Sequence, residues 1–326
     1  MKLLMTLEET SDLILSGKRL LIAGSDELLK QLPKGTWVGG TIPYFMTSSG
    51  GVVSHNKIQV TLLRDEVNQL KIMTYNESDL HKIPTNYFSN GFTFVIIPAF
   101  SGVHQIFAKD CSSWAGVFNQ PLVGWVSGVD LKDQTFASPS VYNGETLEKS
   151  NNKVIVLHAQ LNEPYHARTN IINLFTQGQG DCITFSETGF EFEKCYINKQ
   201  EVYLKDYLIN NSIDLKLPIV ADYMGAMINV SFRDIDPNSK KVRFYAPVFP
   251  GIEYRLANAL DNYEQEFEKA LKEHTKEPLF ACNCVLNFLY ANLEGKKAGS
   301  ILSAMTFGEV AYMLLNQTMV YLTIEK

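Results

Sequence analysis

Cysteine is scarce and odd in number, five in 326 residues. A disulfide framework needs paired cysteines closely spaced in a small chain, so a disulfide-stapled scaffold is excluded. Positive charge is not in surplus either: 29 Lys and Arg stand against 35 Asp and Glu, a net charge of −6. Nucleic-acid binding draws most of its affinity from basic groups on phosphates, and this chain lacks that field. No stretch reaches the roughly 20 uninterrupted apolar residues of a membrane-spanning helix. The run Met1-Lys2-Leu3-Leu4-Met5 is short, turns acidic at Glu8-Glu9 and has no small-residue cleavage site. The expectation is a cytoplasmic protein with reduced thiols and neither a nucleic-acid nor a membrane partner.

Glycine and proline, 21 and 12 residues, are too few for collagen-like or low-complexity chains. G-x-G-x-x-G and G-x-x-x-x-G-K-[ST] are both missing, and no internal repeat at a solenoid period is visible. What is present is 45% hydrophobic sequence, enough for a buried core, and a length that suggests roughly two domains.

Helix and strand patterns alternate irregularly. An opening helix stops at Gly17, Arg19 to Ala23 reads as a strand, and Ser25 is placed to cap the segment Asp26 to Leu32. Phe92 to Ile97 and Val154 to Leu157 have the β-branched, doubly apolar character of central strands. Helices are predicted near Asn76 to Lys82 and Gly102 to Lys109. Tyr254 to His274 carries Leu256, Leu260, Tyr263, Phe267 and Leu271 at helical spacing, and Thr318 to Ile324 reads as a closing strand. Thr176-Gln177-Gly178-Gln179-Gly180-Asp181 is a polar glycine cluster that fits a hairpin turn or a domain junction. These patterns predict an α+β fold: two similar mixed domains, 1–180 and 181–326, with central, mainly antiparallel sheets covered by helices.

Four features could carry chemistry. Gly39-Gly40-Thr41 and Gly124 interrupt strand-like runs, where glycine marks tight sheet packing or a backbone exposed to a ligand. Cys282-Asn283-Cys284 has the wrong spacing for a zinc half-site, and no C-x-x-C or H-x-x-x-H exists elsewhere. The two thiols read as small buried hydrophobes, with a nucleophilic Cys284 as the alternative. The six histidines, His55, His81, His104, His158, His166 and His274, are isolated or paired at eight residues, which suits hydrogen-bonded roles more than a metal or haem site. Gly308-Glu309 precedes an apolar run, so a carboxylate enters the core where it must be paired, hydrated or hydrogen-bonded.

Taken in order, these segments resemble a known arrangement. Gly308-Glu309, then Asn316-Gln317-Thr318 and a terminal hydrophobic strand, resembles the ending of FIST C-terminal domains. Cys284-Val285-Leu286-Asn287 resembles the segment before it, with Asn287 where arginine is common. Gly39-Gly40-Thr41 and Leu122-Val123-Gly124-Trp125 resemble the two glycine-rich strands of the FIST N-terminal domain. The resemblance implies a FIST-N-like domain over 1–180 and a FIST-C-like domain over 181–326. It implies a non-catalytic, free-standing sensor or signal-transduction protein that binds a small molecule and works with a separate signalling partner. The implied ligand site combines Gly39, Gly40, Thr41 and Gly124 with Cys284, Asn287, Gly308 and Glu309. No cofactor or metal is expected; a thiol enzyme and a haem- or metal-binding redox sensor are the alternatives. Glu309 is expected to line a concave site between the halves, the competing expectation being a structural acid that satisfies backbone amides.

Overall fold

In the computed structural model, which describes residues 4–132, 138–272 and 276–326, three parallel strand pairs organise the chain. Leu20–Gly24 runs parallel to Trp37–Thr41 across the short helix Asp26–Leu29. Gly91–Pro98 pairs in the same way with Leu122–Ser127 across Gly102–Asp110. Phe280–Cys284 pairs with Ser303–Thr306 across Val285–Tyr290. A crossover helix is what a parallel neighbour requires, since a tight turn can only reverse the chain. Local chemistry starts the longest of these helices: the Ser101 hydroxyl accepts from His104 N–H at 3.2 Å.

The rest of each unit repeats as well. A return strand lies antiparallel to the first member of each pair: Ile58–Leu62, Val154–Leu161 and Thr318–Glu325. Outside it lies the strand that preceded the pair: Leu4–Met5, Val67–Tyr75 and His166–Asn173. Between the pair and the return strand each unit makes a hairpin and gives it to another unit's sheet. Tyr44–Thr47 with Gly50–Val53 joins Ser303–Thr306; Val141–Asn143 with Glu148–Ser150 joins Trp37–Thr41; Glu309–Ala311 with Leu314–Leu315 joins Leu122–Ser127. The first unit thus gives to the third, the second to the first, and the third to the second. Three six-stranded sheets of identical order result. They share one core, to which Ala23 and Val38, Phe94 and Trp125, and Cys282 and Val320 contribute from the three sheets.

The third unit is interrupted. Between His166–Asn173 and Phe280–Cys284 the chain builds an insert with a six-stranded and a three-stranded sheet of its own, from Ile183–Thr184 to Tyr254–Leu256. Phe185, Phe232 and Phe244 of the insert share a buried cluster with Val95, Ile97 and Val126 on the outer face of the second sheet. Helix Tyr263–Lys272 then brings the chain back, burying Phe267 and Leu271 in the shared core.

The α+β class with mixed and antiparallel sheets is what the sequence predicts. The sequence also predicts a division into 1–180 and 181–326 with separate cores, and the topology departs from it: the third sheet takes three strands from each side of that point. The glycine cluster at 176–181 marks where the chain leaves the repeating body. Repetition is also present, though in topology and not at a solenoid period. Two helix boundaries shift. Residues 254–272 hold the strand Tyr254–Leu256 before the helix, and His274 lies outside the described residues; the helix near Asn76 is a tight 3-10 segment, Leu80–Asn86. Ser25 precedes its helix but donates its hydroxyl to the His55 carbonyl at 3.0 Å instead of capping.

Candidate functional site

Strand alternation places Cys282 and Cys284 on the inner face of Phe280–Cys284 and turns Asn283 outward. On the inner side, the cross-strand partner of Glu309 is Trp125, and the acid is fully buried beside the two thiols. Thr318 gives Glu309 Oε2 its backbone N–H at 3.3 Å and its hydroxyl at 2.9 Å. The Thr306 hydroxyl lies 3.4 Å from Oε1, 3.2 Å from the Gly308 carbonyl and 3.3 Å from the Asn283 carbonyl. Burial pushes the Glu309 carboxyl up to about 8, with hydrogen bonds from Thr318, Cys284 and Thr306 pulling the other way. A hydroxyl has one proton, so Thr306 shares it among Glu309 Oε1 and the two carbonyls.

The same environment bears on the thiols. Burial, and then the charge of Glu309, push Cys282 and Cys284 well above the ordinary thiol range. Both are free and fully enclosed, and Cys282 Sγ donates to the Gly124 carbonyl at 3.4 Å. A nucleophilic cysteine needs the opposite, an accessible thiol with a lowered pKa.

On the outer side, Asn283 Nδ2 donates to Tyr263 Oη at 3.3 Å, and Asn283 Oδ1 accepts from Asn287 Nδ2 at 2.9 Å. Asn287 and Tyr263 line a cleft of 360 Å³ between the insert, the helix Val285–Tyr290 and the segment entering Tyr263–Lys272. Lys216 and Asp261 stand at its rim, Tyr290 on its wall, and Gln317 at its base. Gln317 holds a left-handed backbone, φ 50°, and ties body to insert. Its Oε1 accepts from Ser231 at 2.7 Å and its Nε2 donates to the Lys216 carbonyl at 3.1 Å. Beside it, Asn229 and Asn173 exchange amide hydrogen bonds of 2.9 and 3.0 Å, and Asn229 also donates to the Asn316 carbonyl. A polar path therefore runs from the cleft through Asn287, Asn283 and Thr306 to Glu309 and Thr318.

The predicted residues divide into three groups. Gly124, Cys284, Gly308 and Glu309 converge in the buried array, where Glu309 is fully enclosed and satisfies a backbone amide, the competing expectation. Asn287 alone reaches the 360 Å³ cleft. Gly39, Gly40 and Thr41 lie elsewhere. A Cβ on Gly40 would approach Ile96 and Trp125 to 2.7 Å, so this glycine serves sheet-on-sheet packing and no pocket floor. A Cβ on Gly124 would overlap the Val95 carbonyl oxygen, again a close approach of strands. Thr41 borders a 50 Å³ recess with Ser25, His55 and Asp130, where His55 Nε2 sits 2.9 Å from Asp130 Oδ2. His158 is held by Tyr75 and Thr93 in the core, and His104 is buried over the start of its helix.

Sequence reasoning missed Tyr263 and Gln317. Tyr263 counted only as one apolar position of a helix, and Gln317 as part of a terminal motif; the insert that makes both face a cleft leaves no local signal.

Fold and site together define a three-unit α+β protein with a polar cleft beneath an inserted module. The chain belongs to a family of unknown function (DUF6976), whose model matches residues 5–325. No curated protein matches it. Among the described residues no helix is long and apolar enough to cross a membrane.

Proposed function

We propose that the protein is a non-catalytic sensor that holds a small molecule in the cleft between insert and body and reports its presence to a separate signalling partner. The observation that carries this reading is Asn287, a buried amide at the cleft floor whose hydrogen bonds lead inward to Asn283 and whose Oδ1 accepts nothing among the described residues. A 360 Å³ concavity with a few convergent polar groups is of the size and kind small ligands occupy. The route to a partner is the latch: Gln317 touches the insert, its neighbour Thr318 touches Glu309, and a molecule wedged above Asn287 bears on both. The resemblance of Cys284 to Asn287 and of Gly308-Glu309 to FIST segments supports the same reading, as does the convergence of those segments around one array.

Native mass spectrometry of the protein, after dialysis against a small-molecule extract of its own host, tests it. The expected result is a non-covalent adduct that disappears in Ala291→Trp, which fills the cleft from its wall. No adduct, or an adduct undiminished in a folded Ala291→Trp protein, overturns the reading.

A further inference from the structure

Resting on that cleft, we propose that the ligand class is a nucleoside, a planar base read by Asn287 with a ribose held at the acidic rim. The side chain of Asn287 spends one N–H on Asn283. Its other N–H and its Oδ1 have no partner among the described residues, and the residue lines the cleft, so an amide donor and acceptor are left for a ligand. Such an amide edge matches an adenine edge, which presents an amino donor next to a ring-nitrogen acceptor, in a bidentate pair. Tyr263 Oη accepts from Asn283 and keeps its own proton for the ligand. Tyr290 supplies an aromatic wall beside the same floor, and base–aromatic stacking works for any base.

The rim decides between nucleoside and nucleotide. Asp214, Asp261 and Glu264 face the cleft against Lys216 and Lys296, and Lys296 lies 3.4 Å from Glu264. Acids outnumber lysines, which disfavours a phosphate. Asp261 has no hydrogen bond or ion pair among the described residues, and a carboxylate there accepts from the vicinal hydroxyls of a ribose.

Isothermal titration with adenosine, AMP and 2′,3′-dideoxyadenosine tests the proposal. Adenosine should bind the wild type at least as tightly as AMP, and dideoxyadenosine about tenfold more weakly. Asn287→Leu should weaken adenosine by about tenfold or more. Should that variant fail to fold, Asp261→Ala on the exposed rim serves instead: it should erase the preference for adenosine over dideoxyadenosine. Adenosine binding that neither substitution alters, or tighter binding of AMP, overturns the proposal. If no nucleoside binds while the host adduct is still lost in Ala291→Trp, the nucleoside class fails and the cleft reading stands. If neither binds, both fail.

Discussion

Glu309 sets the alkaline limb of stability, and two histidines set the acid limb. The Glu309 carboxyl titrates near 8 in the folded chain against an ordinary 4.5. Between those values the folded state holds a proton that the unfolded state has released, so stability is full below 4.5 and falls as pH rises through 8. From pH 6.5 to 8 the loss from this group is about 2 kcal/mol. Burial pulls His104 and His158 down to about 4, from an ordinary 6.5. There the unfolded state binds the extra protons, so stability falls as pH drops from 6.5 toward 4. Urea midpoints across pH 4.5 to 8.5 should therefore peak near 6 to 6.5. Glu309→Gln, which keeps the shape and cannot ionise, should flatten the alkaline limb and leave the acid one. A wild-type alkaline limb already flat would mean that Glu309 keeps its charge in the fold.

The latch at Gln317 belongs to the scale of elements. Its left-handed backbone favours glycine, yet the side chain is what joins insert to body through Ser231 and Lys216. Gln317→Gly should relax the turn and free the insert. Hydrogen exchange should quicken at Lys216 and across Ala226–Val230 while Gly91–Pro98 stays protected, and equal protection everywhere would count against a latch. This scale also shows what the sequence could and could not disclose. Gly102–Asp110 and Thr318–Glu325 are legible because residue patterning within one segment is a local signal. Of the hairpin Tyr44–Thr47 with Gly50–Val53, the apolar run Tyr44-Phe45-Met46 and a turn at Ser48-Ser49 are legible, while Gly50-Gly51 reads as part of the turn and not as the start of the second strand. The hairpin's destination is not legible, because period-two patterning says which face is buried and nothing about which sheet lies alongside. For the same reason Gly40 and Gly124 read as packing, with a pocket floor as the alternative. Only the position of Trp125 above one and of the Val95 carbonyl beside the other decides it.

At the scale of the molecule, the exchanged hairpins make the three sheets one cooperative body. Phe45 shows the dependence: it comes from the first unit, pairs with Ala304 of the third, and is fully buried in the shared core. Phe45→Ala should lower stability by about 3 to 5 kcal/mol. Exchange protection should then fall together in Leu20–Gly24, Gly91–Pro98 and Phe280–Cys284; loss confined to one sheet would contradict a shared core. The ring also bears on biosynthesis. Met46 pairs with Gly51 in its own hairpin and finds its second partner only when Ser303 exists, and the strand His166–Asn173 is completed only by Thr318–Glu325. The first hairpin must leave the ribosome as an unpaired β-edge and stay so while the whole insert is made. The insert's strands pair only within itself, so it can close while the strands of the third unit on either side of it still wait for their partners.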